Sequence, residues 1–175
     1  SDDKRTKRTA RVMLDMVHHI NEEHLAEVPE RSNPRLEVTC FTCHHGAARP
    51  VPLEDLLSQT VAVGGLDSAT RTYRALREQY YGRAAYDFGE GTLNGLGLAL
   101  ARSGKLREAV GMVNLNGEFF PRSPSIPFTI GEANRLAGDT VAALAAYRQA
   151  LARDSTFGPA RQRLRELGAG SSRSP

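Results

Sequence analysis

Residues 131–151 read Gly-Glu-Ala-Asn-Arg-Leu-Ala-Gly-Asp-Thr-Val-Ala-Ala-Leu-Ala-Ala-Tyr-Arg-Gln-Ala-Leu. Alanine and leucine dominate this stretch and the C-terminal half around it, which favours helices over strands. Shifted by 34 residues, the chain matches itself: Gly97 falls on Gly131, Gly104 on Gly138, Ala109 on Ala143 and Val110 on Leu144. A self-match at that period belongs to arrays of helical pairs.

The later unit resembles a tetratricopeptide repeat, which is a pair of antiparallel helices. The resemblance implies full repeats over about 92–125 and 126–158, with a partial one at 64–82. Small residues (Gly97, Ala109, Ala133, Ala143) are expected where the two helices of a pair touch. Large ones (Leu100, Leu106, Leu136, Leu144, Tyr147) are expected between repeats. Upstream, Leu66 to Tyr81 carries apolar residues at 66, 69, 73, 76 and 80, a helical period, and follows Gly64-Gly65. It reads as a lone second helix of a degraded first repeat. Downstream, 159–167 fits a capping helix with Pro159 in its first turn, and 168–175 is expected to be disordered. Two full repeats are few for a stacked array, so a neighbouring module or subunit is expected to cap the first pair.

The chain has 175 residues and 40% hydrophobic content, enough for one core or for two small modules. The net charge is +3, and basic and acidic residues are interspersed through most of the chain, which argues against a nucleic-acid binder. No apolar run approaches the ~20 residues of a membrane span. The chain begins with Ser and shows no signal peptide, so it is read as a mature chain whose targeting segment was removed.

Residues 38–52 read Val-Thr-Cys-Phe-Thr-Cys-His-His-Gly-Ala-Ala-Arg-Pro-Val-Pro. Cys40-Phe41-Thr42-Cys43-His44 is the C-x-x-C-H pattern of haem attachment. Two thiols about one helical turn apart reach the two vinyl-derived carbons of adjacent pyrroles. The next residue then offers an imidazole to the iron, so Cys40 and Cys43 are the attachment residues and His44 the proximal ligand. A thioredoxin-like pair would need a preceding strand and a β-α-β context. A zinc site would want a second ligand pair, and residues 46–175 contain neither Cys nor His. With both cysteines in one motif, no disulfide framework is possible.

A second axial ligand decides what such a haem does: a closed iron suits electron transfer, an open one binds small molecules. The candidates are Met13, Met16, His18, His19, His24 and His45, with Met112 deep in the repeat region. Residues 4–28 read as one helix, preceded by Asp2 and Asp3 as caps and stopped by Pro29. Met13, Met16, Val17, Ile20 and His24 share its apolar stripe, while His18 and His19 point away. Met13 is the favoured distal ligand, with Met16 and His24 as alternatives. Arg31, Arg35 and Arg49 lie near the motif in sequence and are candidate partners of the propionates.

Met13-Leu-Asp-Met16-Val-His-His-Ile20-Asn21, together with Val38-Thr-Cys-Phe-Thr-Cys-His-His-Gly46 and Pro50, resembles the cytochrome c subunit of photosynthetic reaction centres. In that family a helix supplies the axial Met before the chain turns back into the attachment motif, and the first Met of Met-x-x-Met is the usual ligand, here Met13. That subunit carries four such units and this chain one; the loop here, from Pro29 to Pro34, is longer, and His45, read as a surface side chain, stands where Arg is frequent. The resemblance implies one covalent haem c and a periplasmic or cell-surface location.

The expectation is therefore an all-α protein: a helix–loop–attachment module over 1–60, then repeats over 61–167. Its expected role is electron carriage with His/Met ligation rather than enzymatic turnover. The repeats would dock a redox partner or drive self-association. The alternatives are a filament subunit whose repeats drive polymerisation, and a haem enzyme or gas sensor with an open distal site, for which His24 is the one hint.

Overall fold

The computed structural model describes residues 4–29, 36–47 and 50–171, with backbone alone for 168–171. The all-α expectation holds: α1 spans Arg5–His19, α2 Cys40–His44, α3 Leu53–Tyr80, α4 Glu90–Arg102, α5 Leu106–Phe119, α6 Ser125–Leu136, α7 Thr140–Arg153 and α8 Gly158–Ser171. Between α1 and α2 lie a π-turn at Ile20–His24 and a 3-10 turn at Leu25–Glu27. The chain divides into two compact units, 1–50 with 82–85, and 51–81 with 86–175.

In the larger unit, α4 and α5 form one pair and α6 and α7 a second, each joined by a turn too short for anything but antiparallel neighbours. The turns share one backbone geometry. Gly104 and Gly138 take φ of 77° and 83°, a conformation that side chains rarely adopt. The amide after each glycine bonds back across the helix end: Lys105 N–H to the Leu100 carbonyl at 2.9 Å, and Asp139 N–H to the Asn134 carbonyl at 3.0 Å. This closure satisfies carbonyls that the helix end leaves open. Asp139 then caps α7, its carboxylate accepting from Ala142 N–H at 2.9 Å.

The period of 34 also sets the contact inside each pair. A Cβ on Gly97 would collide with Val113, and one on Gly131 would lie 2.5 Å from Tyr147 Cε1. Val113 and Tyr147 are themselves 34 residues apart. Gly97, Ala109, Ala133 and Ala143 are all buried, as expected of small contact residues. Tyr147, expected between repeats, lies instead against Gly131 within its own pair, because that glycine leaves room for a ring. Leu136, also expected between repeats, is exposed at the end of α6.

The core runs from Leu53, Leu57 and Val61 through Tyr73, Leu93 and Leu96 to Met112 and Leu115. Leu53, Leu57 and Val61 explain why this unit begins at residue 51 and not at 61. The helix that follows Pro52, with Glu54 and Asp55 in its first turn, buries its apolar stripe in the core of the larger unit. Residues 66–80 are therefore not a lone helix. They continue from 53–64 after a break at Gly65, where φ is 70° and ψ −172°. Near the C-terminus Ala143, Tyr147, Ala150 and Ala160 form a smaller cluster with Phe128 and Phe157 around it. The helix expected over 159–167 continues to Ser171, so 168–171 are helical; once Leu164 and Leu167 anchor it, each added residue gains a backbone bond. Residues 172–175 of the expected tail lie outside the described residues, as do Asp2 and Asp3.

Glu132 in α6 ties this end together. It is buried, accepts from the Tyr147 hydroxyl, pairs with Arg135 at 2.9 Å, and takes two bonds from Arg163 of α8, Nε at 2.9 Å and Nη2 at 3.2 Å. Burial pushes its carboxyl upward, but the bonds from Arg135, Tyr147 and Arg163 outweigh this and hold it below the usual range. A depressed carboxyl contributes stability above its unfolded pKa and loses it as pH falls through the folded value. Chemical denaturation from pH 7 downward is expected to show an acid-dependent loss in the parent below the ordinary glutamate range, and a flatter acid limb in Glu132→Gln. Gly131→Ala, which forces a methyl into the Tyr147 ring, is expected to destabilise the fold by about 1–3 kcal/mol in the same measurement.

Candidate functional site

The smaller unit contains a helix that buries none of its own side chains. No residue of α1 is buried; Met13 and Met16 are each 43% exposed. The helix is nonetheless strongly amphipathic, with Met13, Met16, Val17 and Ile20 on one face. An apolar stripe this regular is made to be covered.

The stripe faces α2. Met13, Met16 and Val17 of α1, with Thr39, Cys40, Cys43 and His44, line one shallow recess. Two thiols, an imidazole and two thioethers thus converge on a single apolar hollow, with Cys40 and Cys43 both exposed.

Local structure explains how α2 presents its groups. Thr39 precedes the helix in extended conformation, and its N–H donates to Thr42 Oγ1 at 2.9 Å, so residue 42 of the motif fixes the helix start. The helix ends after one turn: His45 sits in the left-handed region at φ 46°, and Gly46 is next at 85°. That reversal brings the Ala47 carbonyl back to His44, whose Nδ1 lies 2.9 Å from it. A carbonyl can only accept, so Nδ1 carries the proton and Nε2 is left as the basic nitrogen. This is the tautomer that metal binding through Nε2 requires.

The helix end is held by a side chain. Asn21 Nδ2 donates to the Val38 carbonyl at 2.7 Å, and Val38 N–H donates to Asn21 Oδ1 at 2.8 Å. Asn21 stands in the π-turn, where the helix widens and the phase of the residues after it shifts. His24, placed on the apolar stripe by ordinary helical periodicity, is shifted in this way. It does not line the recess; its ring packs edge-on against His19 at 5.3 Å, and His19 bonds Glu23 at 2.7 Å. His18 and His19 are exposed. Phe41 is exposed too, its ring 5.6 Å from that of His45. Met112 is fully buried in the other unit's core. Arg31, Arg35 and Arg49 lie outside the described residues.

A recess in which paired thiols, one correctly protonated imidazole and thioethers meet has the donor chemistry of a covalent haem site. The model of the photosynthetic reaction centre cytochrome C subunit family matches residues 1–76. The match takes in the whole recess and runs on into α3. It suggests a haem-based electron-transfer role, and the family implies a covalently bound haem c. No curated protein matches the chain. Among the described residues no group of three or more His, Cys, Asp or Glu side chains is placed to hold a bare metal ion, and no helix is long and apolar enough to cross a membrane.

Sequence reasoning missed Asn21 and the Ala47 carbonyl. Gly46 was the available signal for the second; for the first it was the place of Asn21 at the end of the stretch that carries the family resemblance, which gives no hint of its partner Val38. Long-range ¹⁵N–¹H correlation spectra of the apoprotein are expected to show His44 protonated at Nδ1. An Nε2-protonated ring would contradict the geometry.

Proposed function

We propose that residues 4–47 hold one haem c and that the protein is an electron carrier. Cys40 and Cys43 are the covalent anchors, His44 Nε2 the proximal ligand and Met13 the distal one. The observation that carries this is the single recess in which both thiols, the imidazole and the thioethers of α1 stand together. When bound, the haem supplies a one-electron iron couple. The chain's own contribution is to fix the imidazole through Ala47, to close the opposite side with α1, and to exclude water with Val17 and Ile20. A thioether at that position raises the reduction potential relative to a second imidazole.

In this reading α4–α7 are tetratricopeptide-like pairs that dock a redox partner or a second copy of the chain. Support comes from the matched glycines, Gly97 with Gly131 in the helix contacts and Gly104 with Gly138 in the turns. The same reading puts the protein in the periplasm or at the cell surface, because the family resemblance implies haem attachment outside the cytoplasm.

A spectroelectrochemical titration of the holoprotein tests the proposal. The parent is expected to give one one-electron wave, the weak long-wavelength charge-transfer band of thioether-ligated ferric haem, and no carbon monoxide binding when reduced. Met13→Ala is expected to lose that band, lower the potential and bind carbon monoxide. A parent that binds carbon monoxide readily would overturn the six-coordinate carrier in favour of an open site.

A further inference from the structure

The recess holds two thioethers where one would serve. Met13 and Met16 are three residues apart, so along a helix they differ by ~4.5 Å of rise and ~60° of rotation. Both line the same hollow and both are equally exposed. A slide of less than one helical turn between α1 and α2 would therefore exchange one for the other, and sliding by discrete steps of that size is how packed helices change register. Something must fix the register.

We propose that Asn21 is the positioning residue that selects which methionine faces His44. This rests on the reading of the recess as a haem site. The side-chain amide engages Val38 through both of its ends, 2.7 Å from Nδ2 to the carbonyl and 2.8 Å from the amide N–H to Oδ1. That is the pairing two extended backbones make across a ladder, formed here by one side chain and one residue. Asparagine is the shortest side chain with a donor and an acceptor in one plane. Seventeen residues separate the partners, so the clamp fixes a distance the chain path leaves open. On one side it grips α1 at the residue after Ile20. On the other it grips Val38, next to Thr39, whose N–H is already held by Thr42 of the motif. From Met13 to Cys40 the connection is then helix, π-turn, two hydrogen bonds and capped helix. The π-turn has a purpose in this arrangement: in a regular helix Asn21 would keep the α-helical phase, and the widened turn re-aims it.

The test uses the holoprotein and three variants. Asn21→Leu removes both bonds at nearly constant volume. Asn21→Asp keeps the shape and the acceptor but loses the donor, which guards against a failure of the first variant to fold. Asn21→Leu/Met16→Leu removes the competing thioether. The readout is the set of proton resonances of the ligated methionine in the reduced protein, with the reduction potential alongside. The parent is expected to give one set. Asn21→Leu and Asn21→Asp are expected to give two, with a broadened or doubled redox wave, and the double variant to return to one. A single parental set in both Asn21 variants, even with a lowered melting temperature, would show a structural role only and overturn the proposal. Exchange of the Val38 amide in the apoprotein gives an independent measure: Asn21→Leu is expected to speed it at least about tenfold, and unchanged exchange would overturn the clamp itself. A parent that carries no haem would instead overturn the reading beneath the proposal, and the haemochrome spectrum separates the two.

Discussion

The hydrogen bond between His44 Nδ1 and the Ala47 carbonyl is the constraint on which the site depends. It sets the tautomer, and a ring protonated at Nε2 would have no lone pair there to offer a metal. The bond exists only because the chain reverses at once after α2, through a histidine and a glycine both at positive φ. A longer α2 would carry Ala47 away. The shortness of the helix, five residues, is thus part of the chemistry and not a failure of propensity.

Opposite that ring stands a helix whose stability cannot come from burial, since none of its residues is buried. Isolated helices of this length are marginal in water, so α1 depends on whatever covers its stripe. Covalent capture of a large apolar group would therefore stabilise the helix as it completes the site. The other unit needs no such help: its core is continuous from Leu53 to Leu115, and its end is locked by Glu132 and two arginines. Two modules with different sources of stability share one chain.

The two helix pairs were legible because their spacing rests on residues with one physical job each. Gly104 and Gly138 must turn, and Gly97 and Gly131 must admit a neighbour. The juxtaposition of Cys40, Cys43 and His44 was legible for the same reason: two thiols and an imidazole at fixed spacing share one short helix. What the sequence hid was phase and reach. The π-turn at Ile20–His24 moved His24 off a stripe that regular periodicity gave it. The helix that follows Pro52 was hidden because the first module was drawn to residue 60, while Leu53 and Leu57 belong to the core of the second unit. The Asn21 clamp spans a gap that no local pattern encodes.

In the proposed reading a porphyrin is covalently held at Cys40 and Cys43. Intact-mass and peptide-mapping spectrometry of the protein, produced where haem attachment takes place, tests it most directly. The expected result is one haem added to the bare polypeptide, retained under denaturing conditions and carried by the peptide that contains residues 40–44. The mass of the unmodified chain, with both thiols free to alkylation, would contradict it.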